Sequence, residues 1–222
     1  MSKQHEQHVV TSWMKNASPW ITAIRDSEIE SRVRVTDQAI IEAILQQQPK
    51  TALDIGCGEG WLVRALCAQG IVAKGVDVVP ELIEYAQRQR VGEFQILAYD
   101  DVSPEALSKR FDVVACNFSL FGDDSVRQLI QRIPHLLADS GAFVVQTLHP
   151  QSVDENGVME EGWQQGSWDG FNAQFSDPAP WYFRPLDAWK ALLLENGFKR
   201  VEIIEPFYPE TQRPASVIFI VS

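Results

Sequence analysis

Apolar and polar positions change their spacing several times along this chain. Residues 13–48 keep helical spacing, with Val35, Ala39, Ile40, Ala43 and Ile44 on one stripe. A break is expected near Asn16-Ala17-Ser18-Pro19, and Pro49 stops the run. From residue 51 onward, short apolar runs alternate with helical stretches. The runs at 51–55, 71–77, 94–99, 111–116 and 142–148 read as buried strands. Gly70 closes the first intervening helix, and Pro80 opens the next, which carries Leu82, Ile83, Tyr85 and Ala86. A helix over 124–138 holds Pro134 as a kink. Alternation of this kind predicts a parallel sheet covered on both faces. The last part departs from it. A helix over Leu186–Glu195 ends at Asn196-Gly197, and two β-rich runs, 198–204 and 215–221, follow with only a Pro-rich loop between them. They should pair as a hairpin, with one strand antiparallel to the sheet.

The residues between the first strand and the first helix narrow the chemistry. Thr51 to Gly60 reads Thr-Ala-Leu-Asp-Ile-Gly-Cys-Gly-Glu-Gly, and the helix starts at once with Trp61. Alternating glycines leave no side chains between a ligand and the backbone at a helix N-terminus. Asp77 closes the second strand about twenty residues on, where an acidic residue can accept hydrogen bonds from ribose hydroxyls. A dinucleotide fingerprint would need its third glycine at position 61, which is Trp61. Glycine stands at position 60 instead, and Asp54 precedes the loop.

Asp-x-Gly-x-Gly-x-Gly resembles motif I of the class I methyltransferases, of the ubiquinone-biosynthesis O-methyltransferase type. The resemblance covers residues 51–222 apart from 149–185; it is specific at motif I and generic elsewhere. It implies an α/β, Rossmann-like, doubly wound seven-stranded sheet, mostly parallel with one antiparallel C-terminal strand, plus N-terminal helices. It implies S-adenosyl-L-methionine as cofactor and S-adenosyl-L-homocysteine as product. It assigns Gly56 and Gly58 backbone contact with the amino-acid part of the donor. Asp77, with Val78 beside it, goes to the ribose hydroxyls, and Asp100 and Asp101 to the adenine edge. Backbone at Asn117 and Phe118 goes to the donor ammonium.

Each assignment has a plainer alternative. Asp77 can cap the helix entered through Pro80, and Asp100 and Asp101 can simply start a turn before Pro104. Asn117 can tolerate an unusual backbone angle, and Asp54 can brace the glycine loop instead of touching a ligand. Arg32 either pairs with the donor carboxylate through its planar fork or is a solvated charge on a surface helix. Trp20 either covers the donor or anchors its helix.

Residues 149–185 are too long for an ordinary connection and are rich in aromatics, which points to a lid over the transfer site. Trp168, Tyr182 and Arg184 are its candidate substrate contacts; a satellite core is the alternative for most of the rings. His149, ending the fifth strand, is the candidate catalytic base, or else a hydrogen-bonded corner. One domain is expected over 1–222: a helical cap (1–48), a cofactor core (51–148), the insertion (149–185), and a C-terminal helix with its hairpin (186–222).

Charge and composition then limit the partners. A net charge of −11, with scattered basic residues, disfavours nucleic acid and anionic membranes. Three cysteines without Cys-x-x-Cys spacing suggest reduced thiols in the cytoplasm and no metal. No apolar run is long enough for membrane insertion, and residues 1–10 lack a signal-peptide stretch. The expected function is methyl transfer to a small molecule, oxygen favoured, with oligomeric state open. A nicotinamide-dependent oxidoreductase and a non-catalytic S-adenosyl-binding module are the competing readings; a nucleic-acid or protein methyltransferase ranks below them.

Overall fold

Strands of near-continuous apolar sequence form because both faces of the sheet are covered. In the computed structural model, five strands are parallel: β1 (Thr51–Ile55), β2 (Val72–Asp77), β3 (Glu93–Ile96), β4 (Phe111–Asn117) and β5 (Leu137–Thr147), with the more polar β3 at the sheet edge. The described residues are 2–154 and 159–222; Met1, in the expected cap, and residues 155–158, in the expected insertion, lie outside them. A separate hairpin, β6 (Gly162–Gln164) with β7 (Trp181–Phe183), belongs to the insertion. β8 (Val201–Ile204) and β9 (Val217–Val221) complete a seven-stranded sheet of order β3-β2-β1-β4-β5-β9-β8. β9 runs antiparallel to both β5 and β8, so it alone is reversed. The expected architecture and hairpin are both present.

Alternate residues of each strand feed two cores. Leu53, Ile55, Val114 and Cys116 pack with Leu129, Ile130, Ile133, Trp189 and Leu193, which lie on α7 (Asp124–Leu136) and α9 (Leu186–Glu195). Ala52, Val113 and Ala115 pack on the other side with Ile40, Ile44, Leu62, Val63 and Leu66. Those come from α3 (Asp37–Leu45) and α4 (Trp61–Ala68). The helix α5 (Pro80–Arg88) adds Ile83 to the same core.

Several boundaries differ from expectation: the third strand ends at Ile96 instead of 99, the fifth starts at Leu137 instead of 142, and the two C-terminal strands start at Val201 and Val217 instead of 198 and 215. Helix starts at Ser2, as α1 (Ser2–Lys15), and Asn16 separates it from α2 (Ala17–Arg25) as expected. A π-helical turn, Arg32–Thr36, leads into α3, where unbroken α-helix was expected. Pro134 cannot donate a backbone hydrogen bond, and α7 survives only two residues beyond it, ending at Leu136 instead of 138. The chain then extends directly into β5.

Two segments far apart in sequence cover the carboxyl ends of the strands. α1 and α2 form one part. The insertion forms the other, through the hairpin β6–β7 and an aromatic cluster of Trp168, Phe171 and Phe175 with ring centroids 4.8–5.3 Å apart.

Candidate active site

Strand β1 delivers the chain into the glycine turn, where Gly56, Gly58 and Gly60 all have positive φ. A side chain at Gly56 would collide with Ser119 on the segment after β4. Gly58 faces the roof, and a Cβ there would lie 3.4 Å from Trp20 Nε1. The loop is fixed to its neighbouring strand, since the amides of Gly56 and Cys57 both donate to the Val76 carbonyl, at 2.8 and 3.0 Å.

Asp77 braces this turn. One carboxylate oxygen accepts from the Gly58 amide at 2.8 Å and the other from the Val79 amide at 2.9 Å. The bracing that the sequence offered to Asp54 therefore falls to Asp77. Asp54 is buried, and its Oδ1 has no hydrogen-bond partner. Burial first, then the charges of Asp77 and Glu59, push its pKa up to about 8, with Arg32 opposing. Burial also raises Asp77, against the pull of the Val79, Gly58 and Val78 amides.

Glu59, within the glycine turn, is a residue the sequence reading missed. It is buried, its Oε2 is held by Arg64 at 2.5 Å, and its Oε1 has no partner. An acidic residue between two glycines was the available signal.

Arg32 is neither a solvated charge nor a free carboxylate fork. It is only 8% exposed, and its Nε and Nη2 grip Asp37 at 2.9 and 3.3 Å. Its guanidinium stacks 4.6 Å from the Trp61 ring and 5.9 Å from Trp20. Nη1 alone has no hydrogen-bond partner among the described residues.

The end of β4 carries a second constrained point. Phe118 has φ +49, rare for a bulky residue, and its amide donates to the Gln146 carbonyl at 2.8 Å. Asn117 Oδ1 accepts from Gln146 Nε2 at 2.8 Å, and the same nitrogen reaches the Thr36 carbonyl at 3.1 Å. Gln146, a polar residue inside the apolar run of β5, thus ties β4 to the π-helical turn. Tyr99 donates to the Ser119 carbonyl at 2.8 Å, holding the segment that abuts Gly56.

Other expected contacts stand apart from this cluster. Asp100 and Asp101 lie in an exposed 3-10 turn, with Asp100 3.6 Å from Arg132. Val78 packs partly buried against Ala17, Val79 and Leu82. Trp168 belongs to the satellite aromatic cluster and donates to the Ser176 carbonyl at 2.9 Å. Arg184 is buried beneath the insertion, where it donates to the Gly122 carbonyl at 2.8 Å and pairs with Asp123 at 2.8 Å. Desolvation lowers its pKa, with Asp123 opposing. Tyr182 stacks under that guanidinium at 4.4 Å, and its amide donates to the Phe121 carbonyl. These two residues clamp the loop that follows Phe118.

His149 is the hydrogen-bonded corner. It is 3% exposed; Nδ1 accepts from the Gln151 amide at 3.1 Å, and Nε2 donates to Glu205 at 2.7 Å. Both ring nitrogens are engaged, so the imidazole presents no free lone pair for a base. Glu205, at the end of β8, was not anticipated because the link to it crosses the reversed strand.

The unpaired groups define what fits. Two buried carboxylate oxygens lack partners, at Asp54 and Glu59. Arg32 Nη1 and Trp20 Nε1 are donors without acceptors among the described residues. A zwitterionic amino-acid group would answer both needs, and Gly58 keeps its backbone bare of a side chain beside Asp77. S-adenosyl-L-methionine carries such a group. No group of three or more His, Cys, Asp or Glu able to hold a metal occurs among the described residues.

Known proteins resemble this arrangement. The methyltransferase domain family matches residues 29–203. A ubiquinone biosynthesis O-methyltransferase from Xylella fastidiosa (strain M23) is 32% identical over 102 residues, which cover 44% of this chain and 41% of that protein. The chain therefore spans less than half the length of that curated relative. An S-adenosylmethionine dependent methyltransferase from Mesorhizobium loti has a TM-score of 0.60 at 19% identity, covering 81% of this chain and 95% of that one. The DhpI-SAM-HEP complex reaches 0.69 at 15% identity, covering 100% and 99%. Matched over most of its length and folded in the same way, this chain belongs to the methyltransferase domain family and has the class I fold.

Proposed function

We propose that the protein methylates a small molecule, with an oxygen nucleophile as the favoured acceptor, by in-line transfer. The observation that carries this reading is the set of unpaired groups near the glycine turn, acceptors at Asp54 and Glu59 and donors at Arg32 and Trp20. Asp54 and Glu59 would take the donor ammonium, with Asp77 and the glycine backbone beside the ribose. Bound there, S-adenosyl-L-methionine supplies a methyl group on a positively charged sulfur. The constrained backbone at Phe118 and the clamped loop after it would orient the acceptor. Alignment of two bound reactants contributes up to about 7–11 kcal/mol, whereas a general base adds a factor of about 10²–10⁴. With both His149 nitrogens engaged, we assign the larger share to alignment and no base to His149.

The net charge of −11 supports a small acceptor over a nucleic acid. Free cysteines at 57, 67 and 116 support a reducing compartment, the cytoplasm, and no helix among the described residues is long and apolar enough to cross a membrane. Trp61, with Arg32 stacked on it, stands against a dinucleotide at the same turn. The acceptor atom of the Xylella relative, an oxygen by its name, favours oxygen here.

The test is native mass spectrometry for co-purified S-adenosyl ligands, then an acceptor screen of phenols, amines and thiols read by S-adenosylhomocysteine release. Phenol methylation is the expected result. Turnover confined to amines or thiols would reject oxygen, and a bound nicotinamide dinucleotide would reject the donor.

A further inference from the structure

The two parts of the roof are fastened to each other by buried polar groups. Asn16 is wholly buried and uses its side-chain amide as a strand would use its backbone. Nδ2 donates to the Ser176 carbonyl at 2.8 Å, and Oδ1 accepts from the Ser176 amide at 2.9 Å. Ser12 donates to the Asp177 carbonyl at 2.6 Å, and the Asp177 carboxylate takes both His8 and Lys15. Trp13 then meets Trp168 edge-on at 5.8 Å and stacks on Phe121 at 6.0 Å.

Trp20 is the member of this roof that reaches the glycine turn. Its ring lies edge-on to Trp13 at 5.1 Å and faces Phe171 at 6.5 Å. Its Nε1 stands 3.4 Å from where a Gly58 Cβ would lie and has no hydrogen-bond partner among the described residues, whereas Trp168 Nε1–H in the same cluster is satisfied. An indole donor usually finds an acceptor when it is partly buried. The methyl donor has carboxylate and hydroxyl oxygens to offer.

We infer that Trp20 is a positioning residue that ties the bound methyl donor to the roof, so that donor binding orders residues 168–177 of the insertion before the acceptor enters. This rests on the donor reading of the site. The coupling runs from Trp20 to Trp13, and from there through Trp168 and the Asn16–Ser176 staple to the insertion. The aromatic lid, already stapled to α1 and α2, is thereby tightened by the donor, which favours donor before acceptor.

Amide hydrogen exchange of the full chain, with and without S-adenosylhomocysteine, tests it alongside calorimetry. In the wild type, saturating ligand should slow exchange in residues 13–25 and 168–177 together. Trp20→Phe keeps a six-membered aromatic ring and loses the pyrrole ring with its N–H. It should bind the ligand about tenfold more weakly, the worth of one hydrogen bond, while still unfolding in one cooperative transition. At saturation it should no longer slow exchange at 168–177. Asn16→Ala should keep the ligand effect at 13–25 and lose it at 168–177. Equal protection of 168–177 in wild type and Trp20→Phe, or in neither, overturns the inference. If Asn16→Ala does not fold, the Trp20→Phe arm decides alone. Failure of the wild type to bind S-adenosylhomocysteine at all would instead sink the donor reading.

Discussion

The Asp77 carboxylate accepts the Gly58 amide proton at 2.8 Å while its other oxygen holds the Val79 amide at 2.9 Å. One side chain thus sets the shape of the glycine turn and, in the proposed reading, also faces the donor's sugar. Asp77→Ala removes both bonds, so it should cost stability as well as affinity. We predict a loss of about 1–3 kcal/mol in denaturant unfolding, and at least tenfold weaker S-adenosylhomocysteine binding by calorimetry. Lost affinity with unchanged stability would assign Asp77 to the ligand alone.

Asp54 should make stability fall as pH rises. Its folded pKa is about 8 against an ordinary 3.8. Between those values the folded protein holds a proton that the unfolded chain releases, so the favourable term is complete below pH 3.8 and fades as pH climbs toward 8. Asp54→Asn should flatten that part of the unfolding profile. A donor ammonium would lower the Asp54 pKa, so binding at pH 7 should release a fraction of a proton. Calorimetry in buffers of different ionisation enthalpy measures that release, and Asp54→Asn should abolish it.

His149→Ala should destabilise by about 1–3 kcal/mol, because it leaves the Gln151 amide unpaired and frees Glu205. Turnover per folded molecule should stay within a few-fold of wild type. A drop of about 10² or more at unchanged donor affinity would restore the role of base.

Gly56 and Gly70 separate backbone strain from crowding. Both have positive φ, at +74° and +82°, but only Gly56 has a neighbour, Ser119, where a Cβ would stand; Gly70 faces open space. Gly70→Ala should cost the backbone term alone, about 1–2 kcal/mol. Gly56→Ala adds overpacking of about 1–3 kcal/mol and should abolish donor binding. Equal melting temperatures for the two variants would contradict the crowding at Gly56.

The sheet was legible because its central strands are largely apolar runs separated by helical stretches, and the loop-joined C-terminal runs announced the reversed strand. The glycine turn and Asp77 were legible by spacing. What escaped was everything decided by long-range partners. Nothing near Arg32 in sequence shows that Trp61 will stack on it, although Asp37, five residues on, was in view. Arg184 reads as a substrate ligand until its carbonyl partners at 122 and 123 are known. His149 looked free because Glu205, its partner, lies 56 residues away. Two missed residues had a local sign: Gln146, a lone polar side chain in a buried strand, and Glu59, an acidic residue between two glycines.

The π-helical turn at Arg32–Thr36 amounts to one surplus residue in an otherwise α-helical path. Excising a single residue there would let ordinary winding resume and rotate everything before it by about 100° around the axis of α3. Arg32 would swing off Trp61 toward water, and the chain leading back to α2 would leave in a new direction. The pitch of the roof against the sheet is therefore set by a length difference of one amino acid, which makes this turn a point where a single codon gained or lost could re-aim Arg32 and Trp20 over the glycine turn.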